Sequence, residues 1–145
     1  MMEIDVEARS AAPVERVWAL LADARTWPQW ASFEEAEVEE GEGVGEVRRF
    51  RLGRITSRER VTAFEPPRRL GYEFLSGLPI RDYRAEVTLT PTVSGGTDIR
   101  WRSTFAAKLP GTGWALRRRL HQFVGETADR LARAAEQNSG EPRAG

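Results

Sequence analysis

Few side chains in this sequence are equipped for chemistry, and their types narrow it at once. There is no cysteine and a single histidine, His121, so thiolate nucleophiles, disulfides and cysteine or multi-histidine metal sites are excluded. No Ser/His/Asp arrangement, phosphate loop or glycine-rich dinucleotide fingerprint is present, and Gly41, Gly43 and Gly45 lack a strand-turn-helix context and read as a hairpin. Neither a metal nor a cofactor is expected. What remains is a set of hydroxyls and one carboxylate spaced to face inward from strands: Ser57, Glu59, Tyr72, Tyr83 and Ser103. A polar group against an apolar interior needs a partner, because leaving it unsatisfied costs about 1–3 kcal/mol. These groups can bond one another, water or a ligand, and Glu59, Tyr72 and Tyr83 are the candidates for acid/base work. The bland alternative for Glu59 is a salt bridge to Arg49 or Arg51; for the tyrosines it is a buried ring with its hydroxyl at the rim. His121 lies on a helix flank and reads as a surface or packing histidine.

The inward assignments depend on strands whose hydrophobic period is two. After a first strand at Ile4 to Ser10, strands are expected near Glu35 to Glu40, Glu46 to Leu52, Ile55 to Phe64, Arg69 to Leu75, Arg81 to Thr90 and Thr97 to Ala106, separated by glycine and proline turns. In the last, Ile99, Trp101, Ser103 and Phe105 share a face; in its predecessor Tyr83, Ala85, Val87 and Leu89 do. Leu70, Tyr72 and Phe74 face inward on the strand before, and Ile55, Ser57, Glu59 and Val61 on the one before that. The Glu46 to Leu52 strand has no clear parity, since Val47 and Phe50 fall on opposite faces. The turn Ser76-Gly77-Leu78-Pro79 closes two strands carrying inward tyrosines, with Gly77 as a hinge and Leu78 as an apolar lid.

Three helical segments complete the pattern. Pro13 at the first helical position starts one that ends near Asp23, with Val14, Val17, Trp18 and Leu21 on its apolar side. A short turn at Trp27-Pro28-Gln29-Trp30 sends Trp27, Trp30 and Phe33 inward. The longest periodic stretch, Thr112 to Glu136, reads as one helix roughly 35 Å long. Leu116, Leu120, Phe123, Val124, Thr127, Leu131 and Ala134 form an apolar arc expected to be buried along its whole length. Gly125, Ala128 and Ala132 leave one flank open to close approach, and the rest of the chain is expected to wrap this helix.

Basic and acidic residues balance at 22 each, which argues against nucleic acid or an anionic membrane as partner. All the basic residues but Lys108 are arginine, a composition bias given no functional weight. No segment has the length and apolarity of a membrane span, so a cytoplasmic protein without membrane insertion is expected. At 145 residues the chain can bury about two-thirds of its unfolded surface in one core. One domain is expected over residues 1–137, with a disordered tail over 138–145.

The order strand, two helices, six strands, long helix resembles the START-like helix-grip (SRPBCC) superfamily, and within it the bacterial polyketide cyclase/dehydrase branch. The resemblance is carried by Ala12-Pro13-Val14-Glu15-Arg16-Val17-Trp18, Asp23 with Trp27-Pro28-Gln29-Trp30, Val44-Gly45, Glu59-Arg60-Val61, Glu65-Pro66-Pro67-Arg68-Arg69-Leu70 and Trp101. It implies an α+β fold in which a curved seven-stranded antiparallel sheet wraps a long C-terminal helix around an internal cavity. The function expected is binding of a hydrophobic or aromatic, lipid- or polyketide-like molecule there. Trp27, Trp30, Phe33, Phe74, Val87, Trp101, Ser103, Phe105, Leu116, Leu120 and Phe123 are the expected contacts. The resemblance also implies a second reading, a polyketide aromatase/cyclase or dehydratase using Glu59, Tyr72 and Tyr83; a third is a protein-interaction module with a filled core. Whether the chain is an enzyme, and whether it is a monomer or homodimer, stay open.

Overall fold

The computed structural model describes residues 1–139. It contains β1 (Met2–Ser10), α1 (Val14–Ala22), a short 3-10 turn (Ala24–Thr26), α2 (Trp27–Trp30), β2 (Glu35–Glu40), β3 (Val47–Leu52), β4 (Ile55–Glu65), β5 (Arg69–Ser76), β6 (Ile80–Pro91), β7 (Thr97–Ala107) and α3 (Gly113–Ser139). The seven strands form one antiparallel sheet in the order β1-β7-β6-β5-β4-β3-β2, so α1 and α2 are inserted where the chain crosses from one edge to the other. This is the α+β helix-grip architecture, with strand boundaries within a residue or two of those expected. Pro13 is the cap preceding α1 instead of its first helical residue. α3 runs to Ser139, two residues into the stretch expected to be a disordered tail; residues 140–145 lie outside the described residues.

Strand parity decides which groups meet. On β7, Ile99, Trp101, Ser103 and Phe105 are buried, as are Tyr83, Ala85, Val87 and Leu89 on β6 and Leu70 and Tyr72 on β5. The opposite face carries cross-strand ion pairs, among them Arg49–Glu37, Arg51–Glu35, Arg60–Glu73, Arg69–Glu86 and Arg100–Asp5. Each exposed pair contributes about 0–1 kcal/mol, and together they give much of the arginine content a structural place. The unassigned strand β3 places Arg48 and Phe50 on the interior face, while Val47, also buried, lies outside the main core cluster. Arg48 is 1% exposed, a burial possible because Glu46 accepts its Nε–H at 2.6 Å and the Ala22 carbonyl accepts from its other end.

A bulge in β6 against β7 between Arg81 and Arg84 adds one residue on the β6 side. Asp82 there has φ 54°, the left-handed region that Asp tolerates better than most residues. The extra residue lets both Ile80 and Tyr83 face the interior, where an unbroken alternation would send one of them out.

The long helix does not bury its apolar arc evenly. From Val124 on it packs against β1, β7 and α1: Val124, Ala128, Leu131, Ala132 and Ala135 are buried. A Cβ on Gly125 would sit 3.9 Å from Val6 Cγ1, and Ser10 Oγ donates to the Ala132 carbonyl at 2.8 Å, so the small-residue flank is where β1 docks. Before that point Leu116, Leu120 and Phe123 are only half-buried. The strands β3 to β5 do not wrap this part; a space separates them from it.

Candidate functional site

That space is a cavity of about 440 Å³, within the roughly 300–1,000 Å³ typical of small-molecule sites. Its floor is the concave face of β3 to β7 (Phe50, Leu52, Ile55, Ser57, Glu59, Tyr72, Phe74, Tyr83, Trp101), and its roof is α3 from Leu116 to Thr127. Leu78 and Pro79 border it at one end, and Trp27 and Phe33 along one side.

Trp27 fixes the aromatic side. Its indole N–H donates to the Leu21 carbonyl at 3.1 Å, and its ring lies 5.0 Å from Trp30, 5.0 Å from Phe50, 6.0 Å from Trp101 and 6.1 Å from Phe33. Phe33 in turn meets Phe123 edge-on at 5.7 Å, bridging wall and roof. Such offset and edge contacts are the favoured ring geometries, each adding about 0.5–1.5 kcal/mol beyond area burial. The short α2 therefore acts as a rigid aromatic wall.

The floor holds a polar cluster. Trp101 Nε1 donates to the Tyr72 hydroxyl at 3.1 Å, the Tyr83 and Ser103 hydroxyls are 3.1 Å apart, and the two tyrosine rings lie 6.4 Å from each other. Both tyrosine hydroxyls are therefore partnered within the floor and not at a rim. Burial raises the Tyr72 phenol well above its ordinary value, helped by Tyr83 and Glu59; burial also pushes Tyr83 up to about 12, partly opposed by the Ser103 hydrogen bond. Both stay protonated across the physiological range and can only donate or accept hydrogen bonds.

Glu59 differs from its neighbours. The salt bridge to Arg49 or Arg51 is absent: those guanidiniums face outward and pair with Glu37 and Glu39, and with Glu34 and Glu35. The cation across from Glu59 in the β3–β4 register is Arg48, already held by Glu46. Among the described residues the Glu59 carboxyl has no hydrogen-bond partner. The residue is half-buried and lines the cavity. Burial there raises its pKa to about 8, with Arg48 the only opposing influence.

The expected contacts divide by position. Trp27, Phe33, Phe74, Trp101, Leu116, Leu120 and Phe123 are on the cavity wall, with Glu59, Tyr72 and Tyr83. Trp30, Val87, Ser103 and Phe105 are not; they are buried in the packing behind it. Sequence reasoning missed Phe50 and Arg48, both on the strand of ambiguous parity, and Arg119, whose exposure at the roof follows from helix rotation alone. Leu78 borders the cavity, and at Gly77, where φ is 120°, a Cβ would come 2.3 Å from the Thr56 carbonyl oxygen. His121 is exposed and off the wall. Among the described residues no cluster of three or more His, Asp or Glu could hold a metal ion, and no helix is long and apolar enough to cross a membrane.

A curved antiparallel sheet gripping a C-terminal helix over a cavity defines a helix-grip protein. The family model for "Polyketide cyclase / dehydrase and lipid transport" matches residues 1–136, and the chain belongs to that family. Among solved structures, XoxI from Bacillus cereus is similar with TM-score 0.84 and 18% identity, covering 97% of this chain and all of its own. A protein from Bacillus thuringiensis matches with TM-score 0.81 at 18% identity over 92% of this chain and 98% of its own. One from Thermobifida fusca matches with TM-score 0.76 at 22% identity over 92% and 95%. At these identities the likeness establishes the fold. No curated protein sequence matches the chain.

Proposed function

We propose that this protein binds a hydrophobic or aromatic small molecule in the cavity between the sheet and the first half of α3. The observation that carries the reading is a 440 Å³ space walled mainly by aromatic and aliphatic side chains, into which one unpartnered carboxyl faces. A protein-interaction module with a filled core would have no such space. The family's description, which includes lipid transport, is consistent with an apolar ligand.

Thermal denaturation with a panel of polycyclic, fatty and isoprenoid compounds tests this. A ligand of the folded state present at 100 times its Kd adds about 2.7 kcal/mol of stability. At this chain length that raises Tm by about 5–11 °C. Trp101 should report the same event by fluorescence, since it is 1% exposed and forms part of the floor. A panel that moves neither signal refutes the reading.

A second reading, cyclisation or dehydration of a polyketide-like chain, has one specific observation in its favour. Glu59, with a pKa raised to about 8, is matched to proton transfer near neutral pH, and the Tyr72–Tyr83 pair beside it supplies fixed hydrogen-bond donors for a carbonyl. Conversion of such a chain, lost in Glu59→Gln or Tyr83→Phe while affinity remains, would establish the reaction.

A further inference from the structure

Two polar features of this cavity make no hydrogen bond or ion pair among the described residues, and they stand apart. On the floor it is Glu59, on which only the charge of Arg48 acts. On the roof, Arg119 is exposed, borders the cavity and, among the described residues, makes neither a hydrogen bond nor an ion pair. Its neighbour Arg117, by contrast, donates to the Glu3 carbonyl at 2.8 Å. Arg48 is the only cation that acts on Glu59, so Arg119 is too distant to serve it. The roof helix is also locally basic: residues 113–125 of α3 contain Arg117, Arg118 and Arg119 and no acidic residue. Between the two poles the wall is aromatic and aliphatic.

Resting on the binding reading above, we infer that the ligand is an amphipathic chain with two polar positions: an anionic end group held by Arg119 at the mouth, and an uncharged oxygen in mid-chain that accepts a hydrogen bond from Glu59. A guanidinium at an open mouth suits a carboxylate. A deep carboxyl has two choices. It pairs with a cation when ionised, or donates to a neutral oxygen when protonated. The surroundings favour the second: Arg48 on β3 makes the place unwelcoming to a cation, Tyr72 on β5 and Tyr83 on β6 present neutral hydroxyls, and the only titratable wall group on α3 is Arg119. The raised pKa agrees, keeping the donor proton in place at neutral pH. The ligand class is thus a keto- or hydroxy-substituted fatty acid, or a chain of the same polarity pattern.

The test compares myristic acid, a mid-chain keto-myristic acid, the methyl ester of each, and myristylamine by titration calorimetry. At neutral pH the keto acid should bind about tenfold tighter than myristic acid, and each acid about tenfold tighter than its ester. Glu59→Met should erase the keto preference and leave the acid preference; Arg119→Gln should do the reverse. One pH unit above the Glu59 value of about 8, the keto preference of the wild type should collapse. In Glu59→Gln, which keeps a neutral donor and is the control for folding, it should persist. Equal affinity of keto and plain acids, equal affinity of acids and esters, or tighter binding of the amine would each overturn the inference. Chains that bind without these preferences would remove only the two poles. If neither they nor the polycyclic compounds bind, the binding reading beneath falls.

Discussion

The two halves of α3 carry the same apolar periodicity and do opposite things with it. From Val124 to Ala135 the stripe packs against β1, β7 and α1, with Ala128, Leu131 and Ala135 at 0% exposure and Ala134 partly buried. From Leu116 to Phe123 the same stripe is half-buried and forms the roof of a cavity. Side-chain size separates them. Gly125, Ala128 and Ala132 let β1 approach the helix closely enough for Ser10 to bond its backbone, whereas Leu116, Leu120 and Phe123 hold the floor at a distance. One half of the helix anchors the fold; the other is available for a ligand.

The largest effect should separate these halves directly. Leu131→Asp places a carboxylate with no partner in packed core and should cost more than about 3 kcal/mol. Phe123→Asp, expected to be equally severe on sequence grounds, should cost clearly less, because its carboxylate reaches the cavity and its water. Denaturant unfolding of both variants measures this, and equal losses would erase the distinction between the halves.

The next concerns the cavity floor and pH. Folding raises the Glu59 pKa from an ordinary carboxylate value of 4.5 to about 8. The stability tied to its proton is therefore fully present below about pH 4.5, declines as pH rises between those values, and is gone above about 8. Glu59→Gln should therefore match the wild type near pH 4 and exceed it above pH 8. The gain should be roughly 2–4 kcal/mol, discounted from the full shift because the cavity admits water. Parallel pH profiles for the two proteins would mean that the carboxyl is solvated.

Smaller still is the contrast between overfilling one half and emptying the other. Ala128→Leu pushes side-chain volume against the neighbouring β1 and should cost about 1–3 kcal/mol. Leu120→Ala removes part of a cavity wall and should cost below about 1 kcal/mol, a loss smaller than for packed-core truncation because no new enclosed void is made. Its effect should appear instead as weaker ligand binding by calorimetry. A larger unfolding cost for Leu120→Ala than for Ala128→Leu would reverse the assignment of the halves.

Much of this was legible in the residues themselves. Strand parity on β5, β6 and β7 follows from unbroken alternation, and it brings Tyr72, Tyr83, Trp101 and Ser103 to one face whatever the rest of the chain does. The apolar arc of α3 and its small-residue flank follow equally from helical geometry. Glu59 could be placed facing inward for the same local reason. What local periodicity cannot register is whether the space opposite a side chain is filled. Arg48 is buried only because Glu46 and the Ala22 carbonyl, on separate parts of the chain, converge to satisfy it. Ile80 and Tyr83 share the interior only because a bulge interrupts their alternation. The apolar arc becomes core at one end and cavity roof at the other because the distance between helix and sheet is set by side-chain sizes on both, a quantity that exists only once the chain has folded.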